Sequence, residues 1–252
     1  LWPNSQEHFG DIIIFKIERE VEEYVQQVAL AKIEHSKKTR AIFRDHGVQG
    51  EFRIRSLEPL AVRLEGKILP KEKFEELPAG IKNQLTSTRV SIKENGISIL
   101  INPSLAYYSS RLASERQQTI SSAIRLQNQL SRPLSIADPY CGVGPAVLQL
   151  LKQEDLVGDL LANDINPHAI ELLKENIGDV PDGWFIGVEN ATSLKNNPEL
   201  VNRYDMLLMN LPHETISHLP DLLPLLKTSG PTTVRGWAVV EEKEIQTFEK
   251  QL

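Results

Sequence analysis

Ala137-Asp-Pro-Tyr-Cys-Gly-Val-Gly-Pro-Ala-Val-Leu-Gln-Leu-Leu151 carries an acidic residue, a turn with two glycines and an apolar helical segment, in that order. The run before it, Leu134–Asp138, reads as a buried strand, so the whole is a strand–turn–helix unit. Gly142 and Gly144 let a ligand approach the backbone where side chains would obstruct it, and the helix start offers unpaired N–H groups. Taken alone, these glycines mark no more than a tight turn. The third glycine of the dinucleotide fingerprint is missing, which argues against a pyrophosphate-bearing ligand.

Outward from this unit the same rhythm repeats. After Arg132-Pro133 the strands expected are Leu134–Asp138, Leu160–Asp164, Trp184–Val188, Tyr204–Asn210 and Thr233–Val240, with helices near 145–153, 167–177, 213–227 and 241–250. Such alternation predicts an α/β fold, a mostly parallel Rossmann-like sheet covered by helices on both faces. Asp164 ends the second strand, where a carboxylate can accept both hydroxyls of a ribose, and Asn166-Pro167 starts a helix. The plain alternative is that Asp164 or Asn166 only caps that helix. Two acids at strand ends, Asp138 and Asp164, converge on one crevice and favour a nucleoside-bearing cofactor. The fourth strand, apolar from Met206, is expected beside the first and delivers Asn210 to the same end. Pro212 then stiffens the loop and leaves nearby carbonyls free for a ring's amino or imino group. A helix start capped by Asn210 is the competing reading.

Upstream, a helix is predicted from Ser109 or Arg111 to Leu130. Before it, Asp11–Ile17 and Thr39–Arg44 read as strands, with helical spacing from Val21 to Ala29 between them. Thr88–Pro103 reads as a hairpin turning at Asn95-Gly96. Lys67–Gln84 reads as an exposed loop or irregular helix. The expected division is a small N-terminal α/β domain over 1–106, a linking helix over 107–132 and a Rossmann-like domain over 133–252.

The 252 residues are 40% hydrophobic and 25% charged, with no apolar run near membrane-span length, so no membrane partner is expected. A single cysteine, Cys141, excludes an intrachain disulfide and a multi-cysteine zinc site, and fits the cytoplasm. It reads as a packing residue. His213 and His218 are off the one-face spacing of metal ligands, so no metal is expected. Net charge is −6, unevenly spread: residues 1–132 hold 20 Lys and Arg against 16 Asp and Glu, residues 133–252 hold 8 against 18. Lys37, Lys38, Arg40, Arg44, Arg53, Arg55 and Arg63 form either a phosphate-facing patch or a solvated mixed face.

Four motifs in order, Tyr107-Tyr-Ser-Ser-Arg-Leu-Ala-Ser-Glu-Arg116, Asp138-Pro-Tyr-Cys-Gly-Val-Gly-Pro145, Asn163-Asp-Ile-Asn-Pro-His-Ala-Ile-Glu-Leu-Leu-Lys-Glu-Asn176 and Met209-Asn-Leu-Pro212, resemble the archaeal and eukaryotic tRNA (guanine-37-N1)-methyltransferases. Gly10-Asp-Ile-Ile-Ile-Phe15 and Gly50-Glu-Phe-Arg-Ile-Arg-Ser-Leu-Glu58 extend the resemblance over nearly the whole chain. It implies a class I enzyme using S-adenosyl-L-methionine, with tRNA as partner. Glu115 would take the N1 proton of guanine, and Arg111 would hold the guanine carbonyl oxygen. Asn210 and Pro212 would position the ring, Tyr107 would line the pocket rim, and Arg53 would grip the substrate backbone. Asp138, Tyr140, Gly142, Gly144, Asp164, Asn166, Asn190, Tyr107 and Asn210 would meet the cofactor. Without the motif, Arg111 and Glu115 are a plain (i, i+4) ion pair of roughly 0.3 kcal/mol.

Ser110 stands where the family has proline, and Asn190 stands where an acid follows the third strand, unless Glu189 replaces it. Leu1 in place of Met suggests a trimmed chain, starting in the family's middle domain. The chain stops soon after the fifth strand, so the sheet is expected truncated, its edge open or covered, for instance by a second protein chain. Two other functions stay open: the related wybutosine-pathway aminocarboxypropyl transferase, which tends to lose the Asn-Leu-Pro sequence, and a catalytically idle RNA-binding homologue.

Overall fold

Burial of continuous apolar runs organises the C-terminal part of the chain. The computed structural model describes residues 6–239, and its contacts divide the chain into two units, Leu1–Tyr108 and Ser109–Leu252.

In the second unit, α4 (Ala113–Leu130) precedes β8 (Leu134–Asp138), α5 (Pro145–Leu151), β9 (Val157–Asn163), α6 (Pro167–Ile177), β10 (Phe185–Gly187), β11 (Met206–Met209), α7 (Thr215–Leu222) and β12 (Thr233–Gly236). All five strands are parallel, in the order β10-β9-β8-β11-β12. The fourth strand does lie beside the first. Met206 and Leu208 join Ile136, Leu160 and the α4, α5 and α6 side chains on one face, whereas Leu207 and Met209 join Ala137, Leu161 and Leu222 on the other. Period-2 alternation between two covered faces is why β11 is apolar at every position. Each such side chain contributes roughly 1.5–3 kcal/mol by leaving water. The fifth strand ends at Gly236, short of the expected Val240, and residues 237–239 are not strand; the helix expected over 241–250 lies outside the described residues.

A polar rivet closes the sheet end opposite the glycine turn. Asp205, 1% exposed, accepts from both terminal nitrogens of Arg132 at 2.8 and 2.7 Å, from the Ser135 N–H at 2.8 Å and from Lys227 at 2.9 Å. Burial would raise this carboxyl, but Arg132, the Ser135 N–H and Lys227 together bring it down to about 2.

The first unit holds a five-stranded sheet in the order β1-β2-β3-β4-β5: β1 (Gln6–Phe9), β2 (Ile12–Phe15), β3 (Ala41–Gln49), β4 (Ile54–Leu64) and β5 (Lys67–Pro70). The parallel β2–β3 pair needs a crossover, supplied by α1 (Val25–His35), whose Val28, Ala29 and Ile33 pack on Ile13, Phe15 and Ile42. The stretch expected as a loop or irregular helix forms β5 and two short helices, α2 (Lys71–Glu75) and α3 (Ala79–Leu85), anchored by the buried Phe74 and Leu85. The hairpin pairs β6 (Val90–Glu94) with β7 (Ile97–Ile101), and Asn95 and Gly96 take φ of 50° and 78°, as a type I′ turn requires.

Of the two readings of the seven-cation cluster, the mixed-charge face fits three of its members. Arg40 pairs with Asp11, Arg44 with Glu22 and Arg55 with Glu7 and Asp45. Arg63 donates to the carbonyls of Thr39, Ile33 and Ser36. These four stitch the first unit together, and of the seven only the side chains of Lys37, Lys38 and Arg53 make neither an ion pair nor a hydrogen bond to a carbonyl among the described residues.

Candidate active site

The ends of β8, β9 and β10 are tied together by one amide. Asn163, fully buried, donates to the Pro139 and Glu189 carbonyls at 3.2 and 2.9 Å and accepts from the Glu189 N–H at 3.0 Å. It thereby fixes the segments that follow β8 and β10. The sequence reading passed over Asn163 for its neighbour Asp164. The available signal was an amide closing an otherwise apolar strand, which inside a core must find partners.

The glycine turn follows β8. Gly142 and Gly144 have φ of 55° and 83°, and a Cβ on Gly144 would lie 2.3 Å from Leu173 Cδ1. Because Leu173 is fully buried, Gly144→Ala is expected to destabilise the chain by about 2–4 kcal/mol, read as a lower denaturant midpoint with an unchanged slope. Asp164 braces this turn: its oxygens accept from the Gly142 and Asn166 N–H groups, each at 2.9 Å. Two acceptor positions remain on the carboxylate. Burial raises its pKa while those two hydrogen bonds lower it, and the net shift is upward.

Asp138 is 3% exposed at the end of β8. Burial pushes its carboxyl to about 7, the Tyr140 N–H opposing and the neighbouring Asp164 charge adding to the rise. Burial, with Asp138 and Asp164 nearby, also drives the Cys141 thiol well up, so it stays a neutral packing group.

A cleft of about 50 Å³ opens within the second unit. Glu115 from the first turn of α4, Asp138, Cys141 and Asn210 line it, together with Arg235, Gly236 and Trp237 from the end of β12. Glu115 and Asn210, distant in sequence, thus share one wall-lined space. The capping alternative for Asn210 is overturned, because α7 begins at Thr215 behind Glu214. The expected free carbonyls are also corrected: the Leu211 carbonyl accepts from the Glu214 N–H and Thr215 Oγ1, each at 2.9 Å, and the Pro212 carbonyl from the Val239 N–H at 2.9 Å.

Other expected residues stand elsewhere. Arg111 is exposed in a 3₁₀ turn and outside the cleft wall. Its (i, i+4) pair with Glu115 is not formed; Glu115 Oε2 instead accepts from Arg235 Nη2 at 3.0 Å. Asn166 caps α6 through the His168 N–H, and Asn190 caps the 3₁₀ turn Ala191–Asn196 through the Thr192 N–H. Tyr140 aims its hydroxyl at His218 Nδ1, 2.7 Å away, and His218 Nε2 lies 3.1 Å from Glu214. In the first unit, the Arg53 guanidinium sits 5.7 Å from the Tyr107 ring centre, and Arg53 has a φ of 51°. Arg235 went unnoticed because nothing local separates it from any arginine in a strand.

Comparison with known proteins places this geometry. A family profile described as the TRM5/TYW2 methyltransferase domain matches residues 90–251, and one described as the TYW2 N-terminal domain matches residues 1–61. The tRNA (guanine(37)-N(1))-methyltransferase Trm5b of Pyrococcus abyssi is 28% identical over 221 residues, covering 86% of this chain and 56% of its own length. The solved complex of aTrm5 and tRNALeu superposes with a TM-score of 0.72 at 25% identity, covering 99% of this chain and 64% of that one. TYW2 of P. horikoshii in complex with MeSAdo has the same fold, with a TM-score of 0.68 at 19% identity over 100% of this chain and 78% of that one. The chain therefore spans little more than half the length of its curated Trm5b relative.

Proposed function

We propose, from the premise that the chain belongs to the TRM5/TYW2 methyltransferase family, that it methylates N1 of guanosine 37 in tRNA, in the cytoplasm, with S-adenosylmethionine as donor. The observation that carries this reading is the shared cleft of Glu115, Asp138 and Asn210.

The residues present suit that cofactor. Gly144 keeps open a turn that a Cβ would fill, Asp164 keeps acceptor positions for a ribose, and Asp138 in the cleft wall, with Asp164 near it, favours a cationic ligand. When bound, S-adenosylmethionine supplies an electrophilic methyl carried on a positive sulfur. Glu115 accepts the N1 proton of guanine, which frees the ring lone pair. Asn210 offers an amide with both donor and acceptor capacity toward the ring edge, and Pro212 stiffens the loop that carries it. The flat base must leave its stack to reach this cleft. Arg111, exposed in its 3₁₀ turn, meets the guanine carbonyl oxygen once tRNA is bound. The first unit is the proposed RNA-contacting part, with Lys37, Lys38 and Arg53 meeting phosphates.

The names of the relatives speak for tRNA; they lend no support to a second protein chain along β12. One observation favours aminocarboxypropyl transfer from the same cofactor: the TYW2 N-terminal match over residues 1–61. The intact Asn210-Leu211-Pro212 sequence speaks for methyl transfer. Calorimetry with S-adenosylmethionine, followed by mass spectrometry of tRNA incubated with both, tests the proposal. The expected result is heat of binding and the gain of one methyl at guanosine 37. A larger gain would select the aminocarboxypropyl reading; neither heat nor gain would leave an idle RNA-binding chain.

A further inference from the structure

We propose that Arg235 is the positioning residue that orients Glu115 for proton abstraction, an assignment that rests on the function proposed above. Register puts it there. In the parallel β11–β12 pair Arg235 stands beside Leu208, and Leu208 belongs to the sheet face packed by α4, so the Arg235 side chain rises toward the first turn of that helix. Gly236 makes the close approach of the strands possible, since a Cβ there would meet Met209 Cβ at 2.6 Å.

Arg235 Nη2 then bridges two α4 side chains, donating to Glu115 Oε2 at 3.0 Å and to Gln118 Oε1 at 2.8 Å. Gln118 Nε2 in turn lies 3.5 Å from Glu115 Oε1, a contact at the far edge of hydrogen bonding. The two carboxylate oxygens are therefore unequal. Oε2 is held by a rigid, permanently charged guanidinium, and Oε1 is left to accept the guanine N1 proton. Gln118 fixes the arginine from the adjacent turn, so the carboxylate is aimed by a bridge between helix and strand. The pair is half-exposed, with Arg235 and Glu115 side chains 28% and 41% accessible; such pairs do little for stability, so the contact can be removed with the fold intact.

The test compares wild type, Arg235→Ala, Arg235→Lys, Glu115→Gln and the Arg235→Ala/Glu115→Gln double variant, in single-turnover methylation of a tRNA carrying guanosine 37. Cofactor Kd and Tm are measured alongside. Arg235→Ala is expected to slow the single-turnover rate about tenfold to a hundredfold with Kd and Tm unchanged, Arg235→Lys to recover most of it, and the double variant to be no slower than Glu115→Gln. If Arg235→Ala does not fold, Arg235→Gln, which removes the charge and the guanidinium but keeps part of the side-chain volume, is expected to show the same loss. Wild-type rate in these variants, or a loss that multiplies with that of Glu115→Gln, overturns the assignment. An inactive wild-type chain overturns the proposed function, and this assignment with it; an active wild type with an active Glu115→Gln overturns Glu115 as base.

Discussion

Glu115→Gln is expected to slow methyl transfer by about a hundredfold to ten-thousandfold while S-adenosylmethionine binds with wild-type affinity. Guanine N1 carries a proton at neutral pH, and an amide cannot take it. The substitution preserves volume, and the new side-chain oxygen can still accept from Arg235, so packing around the first turn of α4 is retained. The cofactor is expected to rest on the glycine turn and Asp164, which Glu115 does not touch. Rapid-quench methylation and calorimetry on one preparation separate the two quantities. A variant within about threefold of wild-type turnover would reduce Glu115 to half of an ordinary surface ion pair.

Asp138→Asn is expected to act in opposite directions on stability and on cofactor binding. The Asp138 carboxyl has a pKa of about 7 in the folded chain against 3.8 for the free side chain. Below 3.8 both folded and unfolded chains hold the proton, and burial costs nothing. Between 3.8 and 7 the unfolded chain releases it and the folded chain does not, so stability falls as pH rises; above 7 the loss is complete, on the order of 4 kcal/mol. Asparagine has no proton to lose. Its variant should match wild type in acid and exceed it above pH 7 in denaturant titrations. A cationic cofactor beside Asp138 favours the carboxylate, so wild-type affinity should rise as pH climbs toward 7, with proton release detectable by calorimetry in buffers of different ionisation heat. Asp138→Asn should bind more weakly, with a flatter pH profile. Equal stability at pH 8 would overturn the raised pKa of Asp138, and an unchanged binding profile would remove Asp138 from the cofactor site.

The second unit was legible because its chemistry is repetitive. Leu134–Asp138 and the helix from Pro167 to Ile177 were bounded correctly from apolar runs and a proline at the helix start. β4 was missed, since Pro59 in mid-run argues against a strand. The structure accommodates it where the β3–β4 register slips beside Phe43, and a ladder irregularity is a place where a missing N–H can be borne. β1 is short, polar and at the sheet edge, and carries little pattern of its own. In the site, Glu115, Asp138 and Asn210 could be named from motif and strand position. Arg235 and Asn163 could not, because their roles come from partners supplied by other elements. The two readings of the basic cluster stayed open for the same reason: proximity in sequence does not reveal which cations a fold will neutralise with its own acids and carbonyls.

The Asp205 cluster has a bearing on how such a chain can change over time. Its carboxylate secures the sheet while ionised and gives that up only as pH falls from 3.8 toward 2, so in ordinary conditions the architecture is clamped at the end remote from the cleft. Cleft-wall side chains such as Glu115 and Asn210 take no part in that clamp. Ancestors and descendants could exchange one transferred group for another, or fall silent, and still keep the same shape.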